Sequence, residues 1–235
     1  YELARSRFPA LPLHASTQMA VHDSAGLRLA AELGFRRVIL ARELDFESIR
    51  RLREENPGIE LEVFIHGALC YSFSGLCLAS WDLTGRSGNR GDCAQICRSL
   101  FRTAAGEGCF FSCRDLALGM EVRRLMQIGI DAFKIEGRMK SPEYVYHTVR
   151  LYRAIIDRGP ELGAGELAEL ERKAALGFAR RRTRAYFHDP KGERLLDAEF
   201  PGHRGAPLGV VEAVRGGALL MRLKADLGLR DGLMY

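Results

Sequence analysis

No stretch of this sequence approaches the twenty or so consecutive apolar residues that a helix needs to cross a bilayer, so no membrane role is expected. No apolar signal segment opens the chain. Its charged, Leu-, Ala- and Arg-rich composition reads as cytosolic, where thiols stay reduced, and the expected location is the cytoplasm. Also missing are the HExxH helix of zinc proteases, the GxSxG nucleophile elbow, the GxGxxG fingerprint and the P-loop. Those absences remove the best-known hydrolase and nucleotide-binding constellations. A starting methionine is lacking too, and YELARSRFPALPLHAS runs almost directly into a strand, so the expectation is that an N-terminal portion precedes this chain.

What is present is 235 residues with 47% hydrophobic and 28% charged content, enough for one good core and a second small domain. The net charge of +5 comes largely from arginine, including Arg180, Arg181, Arg182 and Arg184 and the early pair Arg5 and Arg7. Such a balance points to RNA or another polyanion as partner, with a solvated face as the plain alternative for any single cluster.

Short apolar runs alternate with helical patterns over the first 160 residues, the rhythm of successive βα units and a parallel sheet. Strands are expected at Leu11 to His14, Arg37 to Leu40, Leu61 to Ile65, Phe110 to Phe111 and Ala132 to Ile135. Asp23 and Asp45 are expected to cap helices through Leu33 and about Glu55. A further helix is expected from about Asp115 to Ile128, and Ser141-Pro142-Glu143 opens a long one to Arg158. Four such units are half of a closed eight-stranded barrel. The expected fold class is therefore α/β, a partial TIM-type (β/α) barrel over residues 1–159 with a cysteine-rich metal loop at 66–100. A connector helix follows at 160–177, then a small all-β module at 178–235 with a hairpin turning at Gly216-Gly217.

Four of the six cysteines, Cys70, Cys77, Cys93 and Cys97, fall within HGALCYSFSGLCLASWDLTGRSGNRGDCAQICR, where little apolar material is available for a core. Two pairs of thiolates across an intervening loop make a soft-ligand cage for zinc or an iron–sulfur cluster. Buried reduced thiols, disulfides and a purely structural zinc knot are the competing readings. The spacings of seven, sixteen and four are not those of ordinary zinc ribbons and favour a cluster. Cys109 and Cys113 are expected as small buried thiols.

Catalytic groups of such a fold gather at the carboxyl ends of strands. That rule nominates His14 and Gln18 after the first strand, Arg42 and Glu43 after the second, His66 after the third, and Lys134, Glu136 and Arg138 around the last. His66 and Glu136 are the candidates for catalysis, the others for holding substrate. A Lys-Glu-Arg group is also an ordinary ion-pair network, and a lone histidine is often structural.

LEVFIHGALCYSFSGLCLAS, NRGDCAQICR and DAFKIEGRMKSPEYV closely resemble the signature regions of the U32 family, long labelled peptidases or collagenases. LHASTQM and RVILAREL resemble its preceding barrel strands, and FPGHRGAPLGVV its C-terminal β-barrel extension. The resemblance implies a [4Fe–4S] cluster on Cys70, Cys77, Cys93 and Cys97, with Cys113 as the substitute for Cys97. It implies oxygen-independent hydroxylation of a base in tRNA or 23S rRNA with prephenate as a required metabolite. The family's peptidase label and a non-catalytic RNA-binding factor are the other two readings. An absent N-terminal barrel half would remove residues from the active site.

Overall fold

The computed structural model describes residues 1–104, 106–192, 194–229 and 231–234. Helix α1 (Glu2–Arg7) precedes strand β1 (His14–Ala15), helix α2 (Ser24–Glu32), strand β2 (Arg37–Ile39), helix α3 (Phe46–Glu55) and strand β3 (Glu60–Ala68). The loop after β3 carries helix α4 (Ala79–Thr84) and the hairpin β4 (Phe101–Thr103) and β5 (Gly106–Gly108). Strand β6 (Asp115–Ala117), helix α5 (Val122–Gln127), strand β7 (Ala132–Ile135), helix α6 (Pro142–Arg158) and helix α7 (Ala164–Gly177) follow. Strand β8 (Arg182–Thr183) and the hairpin β9 (Gly209–Arg215) and β10 (Ala218–Leu223) end the described elements.

Local chemistry explains most of these boundaries. Asp23 accepts from Gly26 N at 2.8 Å, Asp45 from Ser48 N at 2.7 Å and Ser141 from Tyr144 N at 3.2 Å, each satisfying an otherwise orphaned helix donor. Gly34 follows α2 at φ 81°, a conformation glycine adopts without a Cβ penalty. Phe46, Ile49 and Leu52 of α3 recur at helical spacing and are buried, as are Thr148, Leu151, Tyr152 and Ile155 of α6. Each fully buried Leu or Ile contributes roughly 2 kcal/mol of apolar transfer free energy.

The sheet is mixed and mostly parallel. β1, β2, β3 and β7 run parallel in that order, with registers His14↔Arg37, Arg37↔Glu60 and Glu62↔Ala132. β6 pairs antiparallel with the end of β3, and β8 pairs parallel with β6. Among the described residues this six-stranded sheet forms no closed barrel. No helix among them is long and apolar enough to cross a membrane.

Five expectations differ from this structure, the first strand among them: it spans His14–Ala15 and not Leu11 to His14. Asp115–Ala117 is a strand, and the helix there starts only at Val122. Phe110 and Phe111 form a turn. β3 continues three residues past Ile65, so His66 lies inside a strand. The stretch read as the start of the β-module is built into the main sheet through β8, with Phe187 against Phe46 at 5.4 Å and Leu196 bridging Cys113. Within that stretch, only β9 and β10 among the described residues form a separate two-stranded sheet.

Candidate functional site

A cavity of about 510 Å³ opens where β3 and β7 end. Its walls include Cys70, Cys77, Cys93 and Cys97, together with Gln18, Arg42, Glu136, Arg138 and Lys140. All six cysteines are free thiols. Cys109 and Cys113 are buried outside the cavity lining, as expected of small core thiols.

The loop that brings the four thiols together is held at several points. Between Cys70 and Cys77, Ser74 is fully buried with φ 46°, and both its N–H and its hydroxyl donate to the Glu43 carboxylate at 2.7 Å. Glu43 is thus the clamp of this loop and not a cavity-lining group. Ala94 N donates to Ser80 Oγ at 2.8 Å, tying α4 to the second cysteine pair. Arg98 donates to Leu69 O and Ser112 Oγ at 2.9 Å each, and to Cys113 O, bracing the two ends of the loop. Of the five described non-glycine residues at positive φ, three (Ser74, Gln95 and Met139) line the cavity. Backbone held in such sparsely populated conformations collects at functional sites.

The thiols sit close enough to affect one another. Burial raises the Cys97 thiol above its ordinary range; Arg98 opposes the shift, and Cys70, Cys93 and Cys77 add to it. Burial likewise pushes the Cys113 thiol up to about 11. Gln95 N donates to Cys93 Sγ at 3.3 Å, the kind of hydrogen bond that steadies a thiolate ligand. Among the described residues no three His, Cys, Asp or Glu side chains are gathered closely enough to hold one metal ion.

Glu136 follows β7 and is aimed by backbone. Its carboxylate accepts from Ala68 N at 3.3 Å and Arg138 N at 3.1 Å, while its carbonyl accepts from Tyr144 Oη at 3.0 Å. Arg42, Arg138 and Lys140 face the cavity with no carboxylate in ion-pair contact among the described residues. Burial lowers the pKa of Lys140, and Arg180 lowers it further.

The remaining nominated residues lie elsewhere. His14 is exposed on β1. Lys134 pairs with Glu62 at 3.3 Å, in a network that includes Arg37, outside the cavity lining. His66 is 6% exposed, its Nδ1 lies 3.1 Å from Tyr152 Oη, and Tyr144 packs beside it. Burial, with Arg182 nearby, lowers its pKa to about 3. His66 is therefore neutral in the folded protein at neutral pH. The unfolded chain binds its proton near 6.5, so stability is full above that value and is lost as pH falls toward 3. About 2 kcal/mol should disappear between pH 7 and pH 5 by this linkage. Urea unfolding of wild type and His66→Gln across that interval tests it: the wild-type profile should fall more steeply, and parallel profiles would contradict it.

The arginine cluster that suggested a polyanion site is largely engaged within the chain. Arg180 pairs with Asp115 at 3.1 Å, both at most 9% exposed, Arg181 with Glu199 at 2.5 Å, and Arg182 donates to Glu171 O at 3.4 Å. Sequence reasoning passed over Arg98, Lys140 and the aromatic residues of the cavity wall. Lys140 lies two residues from the nominated Arg138, but the placement of Arg98 and the aromatics depends on loop closure.

A family model described as Peptidase family U32 matches residues 1–197. The 23S rRNA 5-hydroxycytidine C2501 synthase of Escherichia coli (strain K12) is 32% identical over 240 residues, covering 96% of this chain and 36% of its own length. The tRNA hydroxylation protein P1 of Bacillus subtilis (strain 168) is 38% identical over 169 residues, 66% of this chain and 40% of the relative. The collagenase of Porphyromonas gingivalis (strain ATCC BAA-308 / W83) is 33% identical over 164 residues, 62% of this chain and 39% of the relative. The chain thus spans about two fifths of the length of these curated relatives. No solved structure matches it.

Proposed function

The chain belongs to peptidase family U32, and from that membership we propose that the protein takes part in hydroxylating a base in RNA with an iron–sulfur cluster at the cysteine-lined cavity. The observation that carries this reading is the meeting in one cavity of four free thiols, a backbone-aimed carboxylate and three cations that make no ion-pair contact among the described residues. Relatives named as rRNA and tRNA hydroxylation proteins support it.

In this reading Cys70, Cys77, Cys93 and Cys97 hold a [4Fe–4S] cluster. A tetrahedral zinc about 2.3 Å from each sulfur needs sulfurs within about 4 Å of one another, whereas a cluster binds each thiolate at a different iron and takes a wider ring. Four thiols line one cavity, as either group requires. When bound, such a cluster supplies iron that exchanges electrons. Glu136 is in this reading the group that accepts a proton from the substrate. Arg42, Arg138 and Lys140 hold an anion, either RNA phosphate or the carboxylates of a small co-substrate such as prephenate, and Gln18 offers an amide beside them. Replacing C–H by C–OH is a two-electron oxidation that needs no O₂: with water as oxygen source (R–H + H₂O → R–OH + 2 H⁺ + 2 e⁻) an external acceptor takes the two electrons, and with an oxygen-donating co-substrate that co-substrate is itself reduced by two electrons. We read the parallel strands β1, β2, β3 and β7 as belonging to a TIM-type arrangement and the protein as cytoplasmic.

The peptidase reading is carried by the family's name and by the collagenase relative. It needs an activated nucleophile. Among the described residues no histidine lines the cavity, Ser74 Oγ donates to Glu43, and Ser80 Oγ accepts from Ala94 N, so its buried serines are committed to structure.

Mass spectrometry of nucleosides from tRNA and rRNA of cells with and without the full-length protein tests the proposal. The expected result is a pyrimidine nucleoside carrying one extra oxygen only when the protein is present. Identical nucleoside profiles together with gelatin cleavage by the purified protein would overturn it.

A further inference from the structure

The cavity has a wall that neither the thiols nor the charged groups explain. Tyr71, Phe101 and Phe111 come from three separate places: the start of the cysteine loop, β4 and the turn before β6. Phe111 sits between the other two, its ring 5.0 Å from Tyr71 at 79° and 4.9 Å from Phe101 at 85°. None belongs to the buried core that runs under the sheet. Tyr71 is 53% and Phe111 37% exposed, so ring surface is left open inside a concave, partly charged site. Leaving aromatic area in water forgoes stabilisation of about 25 cal/mol per Å², and an aromatic cluster lining a pocket is the usual anchor for a flat ligand.

We propose that Tyr71, Phe101 and Phe111 form the stacking platform for one unpaired nucleobase of the RNA. This inference rests on the RNA reading above and deepens it by naming what selects a single-stranded or extruded base over a paired one. A base inside a duplex cannot present its face or its ring carbon to a cavity, so chemistry on it requires that it leave the stack. Rings accept any base face, while Arg42, Arg138 and Lys140 at the same cavity supply the positive charge that the flanking phosphates need. The platform lies in the same enclosure as Glu136 and the four thiols, which sets the stacked base beside them.

The test uses the full-length protein and a short single-stranded RNA carrying one fluorescent cytidine analogue, alone or annealed to its complement, titrated at several salt concentrations. The single strand should bind with quenching of the analogue and the duplex should bind more weakly. Tyr71→Ala and Phe111→Ala should each weaken single-strand binding about 5- to 100-fold, with the slope against salt unchanged because no phosphate contact is removed. Tyr71→Phe should restore binding, whereas Tyr71→Leu should not. Melting curves check each variant, and Tyr71, whose ring is exposed, carries the test if Phe111→Ala fails to fold. Single-strand binding that survives both alanine changes overturns the platform and leaves the RNA reading standing, with a protein or small aromatic ligand as the occupant of that wall. Absence of RNA binding at every salt concentration overturns both.

Discussion

Gly67→Ala should cost the protein several kcal/mol and lower its melting temperature by on the order of 10 °C. Gly67 has φ 113°, and a Cβ built there would lie 2.3 Å from the Glu136 carbonyl oxygen and 2.8 Å from the Glu136 Cβ. Neither atom can retreat freely: Glu136 N donates to His66 O at 2.8 Å, and the Glu136 carbonyl accepts from Tyr144 Oη at 3.0 Å. The added methyl therefore pays both for a backbone conformation that L residues avoid and for pushing β7 away from β3. It would also displace the Glu136 carboxylate from Ala68 N, so loss of stability and loss of activity should appear together. Gly58→Ala is the control, since nothing lies within 4 Å of its added Cβ. A thermal melt of Gly67→Ala that coincides with wild type would contradict the close approach of these two strand ends.

The second large effect concerns the thiols. Alanine at Cys70, Cys77, Cys93 or Cys97 should each lower the iron of protein purified without oxygen, by at least the one iron left without a thiolate and by most of it where the three-thiolate remnant falls apart. Cys109→Ala should keep its iron, since that thiol is buried outside the cavity lining. Cys113 decides a finer point. Its thiol lies near enough to Cys97 and Cys70 to be influenced by both, yet it does not line the cavity. Iron retained in Cys97→Ala and lost in Cys113→Ala would make Cys113 the fourth ligand.

Residues whose signals are local were readable in advance. Asp23, Asp45 and the Ser141-Pro142 pair mark helix starts through side-chain caps or a preset φ, and Gly216-Gly217 marks a turn, all without reference to the rest of the chain. Asp115–Ala117 was illegible for the opposite reason: three residues carry no periodicity, and they are a strand only because β3 and β8 flank them. Phe110 and Phe111 have the composition of a strand, but the second ring is taken up by the cavity wall. His66 looked like a strand-end catalyst because the apolar run pauses there; in the fold β3 continues and Tyr152 occupies its ring. Arg180 and Arg181 looked like an electrostatic surface until partners distant in sequence, Asp115 and Glu199, came to meet them. Of the strand-end residues, Gln18, Arg42, Glu136 and Arg138 do reach the cavity, while Glu43 shapes it from behind. The thiols could be grouped from spacing alone, but their common cavity depends on the folding of the loop around Ser74 and Ser80.

The most direct measurement is the iron and acid-labile sulfide content of the full-length protein purified without oxygen, read with its absorption spectrum. The account predicts about four of each per chain and a broad visible absorption that bleaches on reduction. Stoichiometric zinc with no sulfide, or four unliganded thiols after anaerobic purification and attempted reconstitution with iron and sulfide, would contradict it.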